Sequence, residues 1–195
     1  MGAAVDCELI REGLLGQPVN ALTTIAFIIA GLMVIRRPSL RWVGIALVAT
    51  GLGSFLFHGP MPSGAEWAHD TTLAWLILVV AGLGRRGESW TRLPGLLALG
   101  AVFALVPALA DPTAAVLAAG AVILVLGTDR SAATVGPLAL IGVTALIGRL
   151  GTTGGVLCDP MSQWQPHGLW HLAVAVAILW WARGEEARAA ESKKL

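Results

Sequence analysis

Apolar residues dominate most of the chain and are interrupted at regular intervals by short segments rich in Pro, Gly and charged residues. Each apolar run holds about 17–19 residues, near the minimum for a helix that crosses about 30 Å of hydrocarbon at 1.5 Å per residue. The pattern predicts an all-α membrane protein, a bundle of seven transmembrane helices. The predicted spans are 18–35, 41–58, 66–84, 93–110, 112–128, 132–150 and 166–182.

The boundary between the fourth and fifth spans is the least distinct of the seven. These two runs meet at "LADPTA", where Asp111 and Pro112 predict a tight turn. A single long buried hairpin is the alternative here.

Composition supports a membrane protein, because 56% of the 195 residues are hydrophobic and only 13% are charged. We expect one membrane domain at 18–183, an outer N-terminal segment at 1–17 and a cytoplasmic tail at 184–195. The net charge of +1 and the lack of a basic stripe argue against a nucleic-acid partner.

Positive charge separates to one side of a seven-span topology. One side carries Arg36, Arg37, Arg41, Arg85, Arg86, Arg92, Arg130, Arg183, Arg188, Lys193 and Lys194, whereas the other carries only Arg11 and Arg149. Because cytoplasmic loops are enriched in Lys and Arg, we expect the N-terminus outside and the C-terminus in the cytoplasm. The residues before the first span show no cleavable signal.

Three segments that are distant in sequence place ionisable side chains at the outer end of this bundle. His58 ends the second span, Asp70 starts the third, and His167 and His171 start the seventh. A carboxylate in a membrane helix costs about 2.5–3.5 kcal/mol on insertion scales, so Asp70 needs a partner. We therefore expect one shared polar site.

Spacing narrows the chemistry of this site. Ser54 with His58, and His167 with His171, are four residues apart and so share a helix face. A pair of His residues at this spacing is a familiar metal arrangement, and a third imidazole leaves one coordination position open for water. The alternative is that these histidines only hydrogen-bond to neighbouring helices.

The chain has two cysteines, Cys7 and Cys158, which the topology places on the outer side. In an oxidising compartment they can form a disulfide. Two free thiols are the alternative.

Several motifs together resemble the alkaline ceramidase family of the CREST superfamily of membrane hydrolases. They are "CELI", "GQPVNALTTIAF", "GLGSFLFHG", "WAHD", "LCDP" and "QPHGLWHL", in the order of the family, from Cys7 to His171. The resemblance implies a zinc ion held by His58, His167 and His171. It also implies functional roles for Ser54 and Asp70 and an extracytoplasmic disulfide between the two cysteines.

The resemblance carries two further expectations. The family has a calcium site built from N-terminal acidic residues, for which Asp6 and Glu8 are the candidates here, although Gln17 stands where a carboxylate is expected. The chain is shorter than the eukaryotic ceramidases and resembles a bacterial homologue, which implies the bacterial inner membrane with the site facing outward.

We therefore expect a zinc-dependent amide hydrolase whose substrate is a membrane lipid, either ceramide or another N-acyl lipid. In this hypothesis Asp70 is the general base and Ser54 donates a hydrogen bond to the developing oxyanion. The main alternative is a metal-containing membrane receptor or sensor without significant hydrolase activity. A transporter or a haem protein that uses the same histidines is a weaker one.

Overall fold

A computed structural model describes residues 2–83, 85 and 88–192. These residues form an all-helical protein in which helices overlap each of the seven apolar runs, the first run as two helices that meet at Thr24. The helices are α1 (Pro18–Thr23), α2 (Ile25–Ile35), α3 (Arg41–His58), α4 (Ala65–Gly82), α5 (Glu88–Thr91), α6 (Leu93–Leu105), α7 (Ala110–Thr128), α8 (Ala132–Leu150) and α9 (Pro166–Ser192).

Four helical segments of the described chain are long and apolar enough to cross a membrane: Pro18–Ile35, Pro38–His58, Pro107–Thr128 and Ala132–Leu150. Helix α6 is apolar but shorter. Helices α4 and α9 begin with the polar stretches "AEWAHD" and "PHGLWH", which lower their hydropathy. These features indicate a membrane protein, while the seven-span topology and its orientation stay predictions.

The core of the bundle lies between α2, α3, α4 and α9. Its buried side chains include Phe27, Val34, Leu47, Trp75 and Ile178. Helix α7 packs on α4 and α8 packs on α9, and nearly all apolar residues of both helices are exposed or only partly buried. An apolar helix with an exposed apolar surface is typical of contact with lipid.

The turn between the fourth and fifth apolar runs does not lie at Asp111 and Pro112. Helix α6 ends at Leu105, a short 3₁₀ turn covers Pro107–Leu109, and α7 has begun by Ala110. Proline is tolerated in the first helical turn, where its missing N–H has no intrahelical acceptor, so Pro112 fits inside α7. Pro107 instead marks the break, because the residue before a proline avoids the helical conformation.

The predicted cytoplasmic tail continues the last helix over most of its length. Helix α9 extends from Pro166 to Ser192, ten residues beyond the predicted end of the seventh span at position 182. Residues 193–195 lie outside the described part of the chain.

The N-terminal segment lies against the loop between α8 and α9. Cys7 and Cys158 form a disulfide with a Cα–Cα distance of 5.4 Å, as predicted. Asp6 pairs with Thr152 in an isolated antiparallel bridge, and the Leu9 N–H donates to the Pro160 carbonyl at 3.1 Å. These contacts hold the segment over the N-terminal end of α9.

Candidate metal centre

The ends of two helices bring three histidines together. His58 is the last residue of α3, and His167 and His171 lie in the first two turns of α9. The ring centroids of His58 lie 4.9 Å from His167 and 5.4 Å from His171, and the two α9 rings are 4.5 Å apart. One nitrogen from each ring lies within 4.8 Å of the others, so these residues can hold a metal ion.

The Nε2 atoms of the three rings lack strong protein partners. Those of His58 and His167 are buried and have no hydrogen-bond partner, and that of His171 lies 3.5 Å from Ser54 Oγ. Leaving a buried polar atom unsatisfied costs about 1–3 kcal/mol. A metal ion bound by the three Nε2 atoms would remove this cost, and neutral imidazole is a preferred ligand of zinc and other divalent transition metals.

A glycine lets α3 and α4 approach closely beside this cluster. A Cβ atom at Gly53 would lie 2.7 Å from Thr72 Oγ1 and 2.9 Å from the Ala68 carbonyl oxygen, both on α4. Ser54 is the next residue and its side chain is fully buried. The tight contact therefore fixes the part of α3 that carries Ser54 and His58.

Asp70 is joined to the cluster through His69. The Asp70 Oδ1 atom lies 2.9 Å from His69 Nδ1, although ideal helical geometry places these neighbours about 100° apart. The His69 ring stacks on Phe57 at 4.8 Å and lies 6.0 Å from the His58 ring. Asp70 therefore reaches the histidine cluster through His69, whereas Ser54 lies beside the His171 ring itself.

Asp70 also lines a cavity of about 680 Å³ between the start of α4 and the turn that joins α6 to α7. Other lining residues are Glu66, Trp67, Phe103, Pro107 and Asp111. A cavity of this volume is large enough for a small organic ligand or a lipid head group.

The two calcium candidates have protein partners. The carboxylate of Glu8 accepts hydrogen bonds from the Val19 N–H at 2.8 Å and the Asn20 N–H at 2.7 Å, so it caps the start of α1. Asp6 Oδ1 lies 3.2 Å from His167 Nδ1. Calcium binding at these residues stays a prediction.

The sequence does not predict the contacts that Gln17 and Thr23 make with the cluster. Gln17 and Thr23 place oxygen atoms against His58 and His171 respectively. Both lie in the motif "GQPVNALTT", but nothing in its spacing links either residue to a histidine more than forty positions away.

No protein-family model matches the chain, and a search of curated proteins finds no match either.

Proposed function

We propose that the protein is a zinc-dependent membrane hydrolase that cleaves the amide bond of ceramide or a related N-acyl lipid. The observation that carries the proposal is the buried cluster of His58, His167 and His171, whose Nε2 atoms lack strong protein partners. Three protein ligands with an open fourth position are typical of catalytic rather than structural zinc.

Zinc bound there would lower the pKa of a water molecule to about 7 and polarise a carbonyl oxygen. Ser54 supports hydrolysis because its buried hydroxyl lies 3.5 Å from His171 Nε2, the ring nitrogen that would bind the metal. From this position the hydroxyl can donate to the oxygen of a reacting carbonyl. Such a donor stabilises the charge that develops in acyl transfer.

Asp70 accepts the proton of the attacking water and returns it to the leaving amine. Its contact with His69 uses Oδ1, which leaves the second carboxylate oxygen for proton transfer. The carbonyl carbon gains the water oxygen, the C–N bond breaks, and the products are a fatty acid and an amine. The adjoining cavity supplies room for the part of the substrate that carries the amine.

In the seven-span topology that we propose, this chemistry lies at the outer end of the bundle, near the membrane surface. The N-terminus lies outside and the C-terminus in the cytoplasm. Acyl chains then remain in lipid while the amide group reaches the histidines. This arrangement favours a membrane lipid over a water-soluble amide.

The test measures fatty acid released from N-acyl lipids by the detergent-purified protein over many turnovers. We expect the zinc-loaded protein to be active, the zinc-stripped protein to be inactive, and zinc to restore activity. Asp70→Asn should keep its zinc and lose turnover. Glu186→Gln is the matched control and should stay active. Glu186 lies on α9, far along the helix from His167 and His171, and its carboxylate pairs with Arg37.

Zinc-loaded protein that releases no fatty acid from ceramides or other N-acyl lipids would contradict the hydrolase. In that case the metal-containing receptor or sensor becomes the better account. Normal turnover by Asp70→Asn would instead contradict the role of Asp70 alone.

A further inference from the structure

All three histidines contact an oxygen atom from one continuous stretch of the chain. These oxygens belong to Asp6, Gln17 and Thr23, so we define residues 6–23 as the N-terminal clamp. We propose that the N-terminal clamp is part of the metal centre, and that Asp6, Gln17 and Thr23 are positioning residues that fix the three imidazoles with Nε2 available to the metal. The inference rests on metal binding by the histidines in the proposed function.

Gln17 determines which nitrogen of His58 carries the proton. The Gln17 amide nitrogen donates to the carbonyl oxygens of Ala3, Asp6 and Glu8 at 2.8–3.0 Å, which fixes the orientation of the amide. Its oxygen must then face His58 Nδ1, at 2.7 Å. Because an amide oxygen only accepts, Nδ1 carries the hydrogen and Nε2 keeps its lone pair.

The hydroxyl of Thr23 determines which nitrogen of His171 carries the hydrogen. The Thr23 hydroxyl lies 2.9 Å from the carbonyl oxygens of Val19 and Asn20, one helical turn earlier, and donates its hydrogen to them. The oxygen therefore accepts from His171 Nδ1 at 3.0 Å. Helix α9 comes close enough because position 168 is a glycine, whose Cβ would lie 3.1 Å from Thr23 Oγ1.

Asp6 faces the third ring. Its Oδ1 lies 3.2 Å from His167 Nδ1, and an ionised carboxylate accepts only. The three contacts leave all three Nε2 atoms as metal ligands. Ring nitrogens opposite the metal are commonly held by such acceptors, which orient the ring and raise its basicity.

The N-terminal clamp has supports that do not depend on the metal. Glu8 caps α1 with both carboxylate oxygens, and Cys7, between Asp6 and Glu8, is bonded to Cys158. The clamp can therefore hold the rings in position before the metal binds. Such preorganisation reduces the conformational entropy that the protein would lose when a metal ion binds.

The experiment measures the Kd for zinc of the detergent-purified, metal-stripped protein by competition with a chromophoric chelator. Loss of an acceptor of this kind typically weakens metal binding 10- to 100-fold. We expect Thr23→Val and Asp6→Ala each to raise the Kd at least tenfold. Thr23→Ser, which restores the hydroxyl, should return the Kd to within about twofold of the wild type.

Thr144→Val is the matched control for the loss of a threonine hydroxyl. Thr144 on α8 makes the same pair of hydrogen bonds one turn back along its helix, to Leu140 and Ile141, but lies on a different helix from the clamp and the histidines. Its Kd should equal that of the wild type. Visible spectra of the cobalt-loaded proteins give a second readout, because rotated imidazoles change the bands of Thr23→Val but not those of Thr144→Val.

Zinc binding as tight as the wild type in either Thr23→Val or Asp6→Ala would overturn the inference. The outcome is independent of turnover: a protein that binds zinc through the clamp but cleaves no amide retains the clamp and loses the hydrolase. Conversely, an active zinc hydrolase whose zinc affinity is unchanged in these variants would support the proposed function and contradict the role of the clamp.

Discussion

Ser54 Oγ lies 3.5 Å from Nε2 of His171, a residue 117 positions later in the chain and on a different helix. Its spacing predicts a shared helix face with His58, yet the contact that it makes is with the facing helix. Because Nε2 is the ring nitrogen available to a metal ion, Ser54 lies on the side of the cluster where the proposed metal would bind. A serine that only supported a ring would contact Nδ1 instead.

Ser54→Ala should lower kcat by about 10²–10³, the usual loss when one oxyanion donor is removed. The Kd for zinc should change less than threefold, because the hydroxyl is not a ligand. Parallel measurements of turnover and metal content check this. A large loss of zinc with normal turnover per bound zinc would assign Ser54 to metal binding.

His69→Ala should reduce kcat about tenfold and leave the zinc content unchanged. The ring holds Asp70 Oδ1 at 2.9 Å and stacks on Phe57, so its loss frees the carboxylate to rotate. The measurement is turnover per bound zinc, compared with Asp70→Asn. If His69→Ala also lost zinc, His69 would have to be counted with the metal ligands.

Reduction of the Cys7–Cys158 disulfide should destabilise the protein and accelerate loss of zinc. The bond joins positions 151 residues apart, and chain entropy assigns roughly 4–5 kcal/mol to closing a loop of this order. Thermal unfolding in detergent, and release of zinc to a chelator with and without reductant, measure both effects. The Cys7→Ser, Cys158→Ser double variant is the control and should not respond to reductant; a wild type that is equally unresponsive would contradict the prediction.

Gly53→Ala should destabilise the bundle by about 1–3 kcal/mol, because the added methyl group meets backbone of α4 at 2.9 Å. The matched control is Gly142→Ala on α8, where no atom lies within 4 Å of the added Cβ. Helix propensity favours alanine there by about 1 kcal/mol. We expect Gly53→Ala to lower the Tm and Gly142→Ala to raise it. Equal shifts in Tm would contradict close packing at Gly53.

The histidine cluster and the disulfide were predictable from the sequence because membrane topology converts position along the chain into depth. Once His58, His167 and His171 are assigned to the same end of the bundle, their convergence requires little further information. The helical runs were predictable because apolar stretches of about this length form helices that can cross a membrane. The exception is the break at Pro107, because the turn was predicted at Asp111 and Pro112.

The contacts of Gln17 and Thr23 were not predictable, because they depend on side-chain direction and on how closely helices approach. Nothing in "GQPVNALTT" states that the Gln17 amide is oriented by three backbone carbonyls. The contact between His69 and Asp70 was missed because ideal helical geometry points neighbouring side chains apart, whereas flexible side chains can still meet.

Two of the three histidines lie near the C-terminus, whereas the clamp lies near the N-terminus, and this has a consequence for biosynthesis. Once α1 to α8 have been synthesised, the chain contains the clamp and His58 but neither of the α9 histidines. A single imidazole does not retain zinc. If the three histidines bind zinc as proposed, metal loading follows synthesis of the last helix, and a chain arrested before α9 is a metal-free intermediate whatever the zinc supply of the cell.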